Sequence, residues 1–465
     1  MTEPVSREEP APPVARAAAL PAAVPYPAWL SRSTPCRVLV VGDPVADLWI
    51  YGVPRRISRE APVLILEYDR QEIMPGGAAH CARSLAALGG EVILAGPLGR
   101  DPWGQAVAGA LARAGVRLLP APVPPGWQTP LKARFVAAPP AAPAQQVLRL
   151  DVPPGATAFG LDPVGAAGMA AGGEGPRAWG DGAVPGQAEP DPWRAQGTGS
   201  DAERRPNPER DAVAGQGDAT GTAAGDGRAG EEAGPEWRRF GAALRAAARS
   251  ADAVVVADYG LSDVALRLWP QLSRWARGRP VIVDSRHRLL GFRGATLATP
   301  NLDELAEVWG RPVPREDLPR VAAAIRSRGR FAALVVTRGP EGMLVDPGDG
   351  APVEVPAVRP TAVYDVTGAG DTVAAVLALA MGSGLDVVGA ARLANLAGSL
   401  AVRKPGTRPV TAQELEEAWR AWAGEGRETG NAGDARDAGH AGDPETVPAI
   451  PRSPGDGGPG RGAGV

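Results

Sequence analysis

Residues 364–380, YDVTGAGDTVAAVLALA, run a glycine-rich turn straight into an apolar helical stretch, and the rest of the chain is organised around them. Gly368 and Gly370 allow a tight bend that turns successive N–H groups towards one point, and 373–380 supply the helix behind it. A helix start of this kind holds anions. Asp371 stands at its mouth, where a carboxylate can take a proton from an alcohol. The N–H groups of Ala369, Gly370 and Asp371 can there stabilise charge on a transferring phosphoryl group. The same spacing also fits an ordinary loop in which Asp371 only caps the helix.

The segments around this turn alternate between strand and helix. Residues 37–42, RVLVVG, form a short apolar run ending in glycine, the pattern of a strand buried on both faces of a parallel sheet. Residues 50–68 break into β-rich pieces around RRISRE, the pattern of a small antiparallel flap able to cover a site. An alanine-rich helix opens at Gly76 and Gly77 and runs to 88, followed by a strand at 91–95, a helix at 102–114 and strands at 132–136 and 146–150. Alternation resumes with helices at 237–250 and 263–277 and from 302 and 316, and with strands at 253–258, 281–284, near 296 and at 333–337. Helices from 370, at 390–402 and at 411–422 close the fold. This βαβα order favours an α/β sandwich with helices on both faces of a mostly parallel sheet.

Between these segments the composition changes. The chain has 465 residues, but 61 are Gly and 50 are Pro, concentrated in a few stretches. From about 152 to 232 there is almost no Ile, Leu or Val, and such a segment cannot offset its ordering entropy. The expected organisation is one folded domain made of 35–151 and 233–423, a disordered insertion at 152–232, and disordered tails at 1–34 and 424–465. The formal net charge is -3, from 49 basic and 52 acidic residues, and no block of Lys or Arg argues for a nucleic-acid partner. Cys36 and Cys81 are the only cysteines, too few for a disulfide framework or a metal-ligand spacing, which fits a reducing cytoplasm. The first 30 residues lack the basic start and unbroken apolar core of a signal peptide, and the run at 373 is too short to span a bilayer, so no membrane partner is expected.

In open parallel sheets ligands bind beyond the carboxyl ends of the strands. Here those ends carry Asp43, Asp47, Gly76 with Gly77, Asp258, Asp284, Asn301 with Glu304, Thr337 with Gly339, and the GAGD turn. A strand-end Asp is more often a cap or turn residue, so the weight lies in the shared position. With PGGAA at 75–79, N-x-x-E at Asn301 and Glu304, TRGPEG at 337–342 and DVTGAGD at 365–371, the chain resembles the ribokinase-like, or PfkB-type, carbohydrate kinases over roughly 35–151 and 235–423. Among these it is most similar to the heptose 7-phosphate kinases of heptose nucleotide synthesis, through VVGDPVADLWIYG, RRISREAPV, QQVLRLD, ATLATPN and RKPGT.

The resemblance implies a ribokinase-like three-layer sandwich with a β flap. It also implies ATP and Mg2+ as cofactors, and phosphorylation of the anomeric hydroxyl of D-glycero-D-manno-heptose 7-phosphate to the 1,7-bisphosphate. Asp371 would be the base, and Gly368, Ala369 and Gly370 the anion hole. Glu304 and Asn301 would hold Mg2+, directly or through water, while Thr337, Gly339 and Gly342 line the nucleotide phosphates and Asn395 lies near adenine or ribose. Asp47, Gly76 and Gly77 would grip the sugar, with Lys132 and Arg134 meeting its distal phosphate from the flap. A monovalent cation beside Asp365 and Thr367, and a homodimer formed through the flap, complete what the family implies.

The chain departs from the family in three places. His80 stands where Asn is usual, and reads either as a sugar contact or as a polar helix residue. Asp258-Tyr259-Gly260 lacks a following lysine, and Arg286 stands where Lys is expected. Two alternatives therefore stay open: the same chemistry on another sugar, sugar phosphate or nucleoside, such as a fructose phosphate or ribose, and a catalytically poor sugar or nucleotide sensor. A dinucleotide dehydrogenase is disfavoured because no G-x-G-x-x-G follows the first strand. Bifunctional heptose enzymes carry a nucleotidyltransferase domain after the kinase. No strand with a nucleotide-binding His motif occurs after 424, so one activity is expected.

Overall fold

A computed structural model describes residues 15–16, 28–32, 34–139, 144–154, 234–358 and 363–431. The first half of the chain gives β1 (Ala15–Arg16), β2 (Arg37–Gly42), β3 (Pro44–Ile57), β4 (Leu64–Gly77), α1 (Ala78–Ala87), β5 (Glu91–Gly96), α2 (Pro102–Arg113), β6 (Arg117–Pro120), β7 (Leu131–Ala137) and β8 (Gln145–Val152). After the insertion come α3 (Pro235–Ser250), β9 (Ala253–Asp258), α4 (Val264–Trp275), β10 (Val281–Ser285), β11 (Leu297–Ala298), α5 (Leu302–Trp309), α6 (Leu318–Gly329) and β12 (Ala333–Thr337). The last elements are β13 (Met343–Asp346), β14 (Val353–Val355), α7 (Ala369–Gly382), α8 (Val387–Ala401) and α9 (Ala412–Asn431).

Among the described residues the central sheet has ten strands in the order β1-β14-β13-β12-β11-β10-β9-β2-β5-β6. From β6 to β12 every pairing is parallel, and β13 and β14 extend that edge antiparallel. Its β-branched runs are buried on both faces, as strands between two helical layers must be. Val38 and Val40 point into one core with Leu85, Leu377, Leu393 and Leu415, whereas Leu39 and Val41 point into the other with Leu244, Leu272, Leu305 and Ile325. The period of two along β2 thus sorts α1, α2, α7, α8 and α9 onto one face and α3 to α6 onto the other. This is the expected three-layer α/β sandwich.

The second sheet is the flap, with order β4-β3-β7-β8. It is larger than the small antiparallel flap expected from 50–68, because β3 and β4 each run 14 residues and β7 joins β3 in parallel. β3 leaves the carboxyl end of β2 after Asp43 alone, and β4 returns at Gly77, opposite Pro44, directly into α1. The flap therefore stands over the carboxyl ends of the central strands.

Three further expectations need correction. Trp29 is 6% exposed and packs into the core, and Ala15–Arg16 pair with β14, so parts of the tail expected over 1–34 are ordered. The last helix continues through 424 to Asn431, past the expected start of the C-terminal tail. The short strands β6, β13 and β14 were not expected at all. Of the insertion expected at 152–232, Val152 ends β8 and 155–232 lie outside the described residues, as do 432–465. No helix of the described residues is long and apolar enough to cross a membrane.

Candidate active site

Asp371 lies in the first turn of α7, a helix apolar on all sides and buried from Asp371 to Ala380. Gly368 caps it with φ 76, a left-handed conformation that glycine adopts without a Cβ penalty. The Ala369 N–H already donates to the Val366 carbonyl at 3.3 Å. The Gly370 and Asp371 N–H groups have no intrahelical acceptor, so they form the anion-binding end of the helix. Asp371 is 5% exposed, and its Oδ1 accepts a hydrogen bond from the Tyr259 hydroxyl at 2.7 Å. Burial pushes its pKa up to about 7; the Tyr259 bond pulls down, Asp47 pushes up, and Lys132 and Arg286 pull down. A carboxylate poised there can serve as a base near neutrality.

A cavity of about 370 Å³ opens in front of Asp371, between the flap and the carboxyl ends of the central strands. On the flap side Arg134 Nη1 donates to Asp47 Oδ1 at 2.6 Å, both side chains nearly buried, and its guanidinium sits 4.9 Å from the centre of the Trp49 ring. A Cβ on Gly76 would collide with the Asp47 carboxylate, so Gly76 leaves room for Asp47. Gly77 has φ 56, and a Cβ there would lie 2.7 Å from the Asp43 carbonyl and 3.3 Å from Tyr259 Cε2. Arg149 forks onto Asp151 at 2.7 and 2.5 Å. Lys132 and Arg286, by contrast, form no ion pair among the described residues, and lie 4.9 and 5.7 Å from the Tyr259 ring centre.

On the opposite side Asn301 and Glu304 form a capping box on α5: Asn301 Oδ1 accepts the Glu304 N–H at 2.9 Å and Glu304 Oε2 accepts the Asn301 N–H at 3.0 Å. Asn301 also bridges Thr337, which brings the ends of β11 and β12 together at the cavity. Burial raises the Glu304 pKa. Burial also raises that of Asp284, and the neighbouring Asp371 and Glu304 charges raise it further. Carboxylates that hinder one another's ionisation around one cavity suit a divalent cation. The described residues hold no cluster of three or more His, Cys, Asp or Glu arranged to bind a metal directly. The donors fit a hard cation that keeps much of its water shell.

The cavity thus brings together Asp47, Gly77, Lys132, Arg134, Asn301, Glu304, Thr337, Gly368, Gly370 and Asp371. Of the other residues expected to take a role there, only Thr367 lines it. His80 is 1% exposed, with its ring under Gly368 and bonded to that residue's backbone. Burial and the nearby Arg83 pull the His80 pKa down to about 3, so the ring is neutral and braces the turn from below. Asn395 Nδ2 donates to the Pro356 carbonyl at 2.6 Å. Gly339 is exposed, and Gly342 is packed against the Val355 backbone. Asp365 accepts the Thr367 and Gly406 N–H groups at 2.9 and 3.0 Å, and Thr367 is the one that reaches the cavity.

Tyr259 and Thr407 line the site without having been given a role there, whereas Asp284 was among the strand-end residues expected at it. The strand-end position of DYG and DSRH was the available signal. Asp43 holds a loop instead, and Asp258 both lines the cavity and holds one. Asp43 Oδ2 accepts the Tyr259 and Leu261 N–H groups, both at 3.0 Å, and Asp258 binds Ser285 and Arg288.

Residues 242–414 match the family described as pfkB family carbohydrate kinase. The Bifunctional protein HldE of Caulobacter sp. (strain K31) is 34% identical over 384 residues, covering 81% of this chain and 62% of that protein. The chain spans less than two thirds of the length of the curated relatives it matches. Two solved structures share the fold. The ribokinase of Arabidopsis thaliana complexed with ribose and ATP matches with a TM-score of 0.52 at 17% identity, over 83% of this chain and 99% of that one. The phosphofructokinase-2 of Escherichia coli in complex with potassium matches with a TM-score of 0.56 at 18% identity, over the same shares.

Proposed function

We propose that this chain, which carries a domain of the pfkB carbohydrate kinase family at residues 242–414, transfers the γ-phosphoryl group of ATP to a sugar hydroxyl. The observation that carries this reading is the buried Asp371 carboxylate beside the open N-terminus of α7. Asp371 takes the proton of the acceptor hydroxyl, and the oxygen forms a bond to the γ-phosphorus. The bond from that phosphorus to the bridging oxygen breaks, and ADP leaves with the electron pair. The Gly370 and Asp371 N–H groups face the charge on the transferring group. Glu304 and Asn301 would hold Mg2+, which screens the phosphate charge when bound.

The acceptor we assign is D-glycero-D-manno-heptose 7-phosphate at its anomeric hydroxyl. Arg149 of QQVLRLD and Thr407 of RKPGT line the cavity, which supports it. With Arg134 matched by Asp47, the distal phosphate falls to Lys132 and Arg286 rather than to the expected pair of Lys132 and Arg134. A monovalent cation near Thr367, a cytoplasmic location and a homodimer belong to the same reading. The apolar Ile57, Val63, Leu64, Tyr68, Leu148 and Leu150 exposed on the flap support the dimer.

The test is ADP release by the purified protein with Mg-ATP against heptose 7-phosphate, fructose 6-phosphate, ribose and adenosine. Turnover on the heptose phosphate is expected. Turnover on another acceptor instead would overturn the substrate and keep the reaction, and ATP binding with no turnover on any acceptor would favour a sensor.

A further inference from the structure

Tyr259 stands where the base and both unpaired cations of the site meet. Its hydroxyl donates to Asp371 Oδ1 at 2.7 Å, Lys132 and Arg286 lie against its ring, and the missing side chain of Gly77 leaves space for its Cε2. The backbone that carries it is tightly held. Asp43 Oδ2 takes the N–H groups of Tyr259 and Leu261, and the Ser262 hydroxyl donates to Asp43 Oδ1. On the other side Arg288 ties Asp258 to the Ser262 carbonyl, the latter at 2.7 Å. A phenol fixed in this way fixes the rotation of the carboxylate it bonds, because only one orientation of Asp371 keeps Oδ1 in line with the hydroxyl.

Resting on the kinase reading, we propose that Tyr259 is the positioning residue of the base: its hydroxyl holds Asp371 Oδ1 and leaves Oδ2 for the acceptor hydroxyl. The bond also favours the ionised carboxylate, since a hydroxyl donates more strongly to a carboxylate than to a carboxylic acid. Asp371 faces other titratable and charged groups too: Asp47 from β3, Lys132 from β7, Asp284 and Arg286 from the end of β10, and Cys81 from α1. Burial keeps the Cys81 thiol protonated. All of these remain in place when only the Tyr259 hydroxyl is removed, so a change in Asp371 titration reports on that hydroxyl.

Tyr259→Phe is the variant, and the acid limb of kcat/KM against pH is one readout. The limb should move up by about one to two pH units, the worth of a hydrogen bond to a charged group, with kcat at pH 7 down about tenfold and the Kd of ATP within about twofold. A merely structural role would lower activity or affinity without moving the limb, and that result would overturn the proposal. The second readout needs no turnover: the 13Cγ resonance of Asp371, assigned by its loss in Asp371→Asn, titrated in wild type and in Tyr259→Phe. An upward shift of the midpoint in the variant is expected, and an unchanged midpoint overturns the role of Tyr259 whether or not the kinase reading stands. Should the variant not fold, replacing the chain's five tyrosines with 3-fluorotyrosine makes the hydroxyl a stronger donor. The Asp371 midpoint should then fall, and no change would again contradict the proposal.

Discussion

The sandwich and the flap meet at one cavity but are built under opposite conditions. All six residues of β9 are buried and β2 is exposed to any degree only at Arg37, whereas seven of the eight residues of β8 are exposed. The sandwich carries the base, the helix N-terminus and the capping box, on elements whose positions are fixed from both faces. The flap carries Asp47, Lys132, Arg134 and Arg149 on a sheet covered on one side only. On the kinase reading proposed above, the rigid part would hold the chemistry, and the part that a second copy or the acceptor itself would cover would recognise the acceptor.

The joint between the two is the test with the largest expected effect on stability. Arg134→Ala leaves the Asp47 carboxylate buried without its partner, at a cost of about 3–5 kcal/mol in urea unfolding. Adding Asp47→Asn should recover most of that loss; a cost below about 1 kcal/mol would mean that the flap opens to water at this point.

A cut into the sandwich alone comes next. Leu39→Ala, at a fully buried position of β2, should cost about 2–5 kcal/mol and leave the oligomeric state unchanged. On the flap, Leu148→Ser should change unfolding free energy by no more than about 0.5 kcal/mol while shifting sedimentation towards the monomer. Equal losses of stability at the two sites would remove the contrast.

Asp371 links stability to function through pH. Its folded pKa of about 7 lies above its ordinary value of 3.8, so the stabilisation from protonating it is fully present below 3.8 and is lost as pH rises through 7. Asp371→Asn should therefore melt higher than wild type at pH 8, by at most about 4 kcal/mol in free energy, with a smaller advantage at pH 5. Equal melting temperatures of variant and wild type across this range would show that the carboxylate is not held at a cost to the fold.

How much of this could be read from the residues follows the same division. The strands of the sandwich announced themselves because a β-branched run ending in glycine or aspartate has few other uses, and α7 did so through GAGD and its apolar continuation. Asn301 and Glu304 were legible because the N-x-x-E spacing is local in sequence, although the capping box they form was not read from it. The Asp47 to Arg134 pair was not, since its members are 87 residues apart and meet only through the parallel pairing of β3 with β7. His80 was read for its polarity, and its burial under Gly368 depends on packing between α1 and α7. Tyr259 was marked only by its place at a strand end, because one tyrosine after a strand has no period or spacing of its own. β13 and β14 were too short, at four and three residues, to show alternation.

The most direct measurement is steady-state ADP release with Mg-ATP and heptose 7-phosphate at pH 8, comparing wild type with Asp371→Asn. If Asp371 is the base, kcat falls about 100-fold to 10,000-fold while the Kd of ATP stays within about twofold. A variant that keeps more than about a tenth of the wild-type kcat would show that the proton leaves by another route and that Asp371 is only the buried acceptor of the Tyr259 hydroxyl.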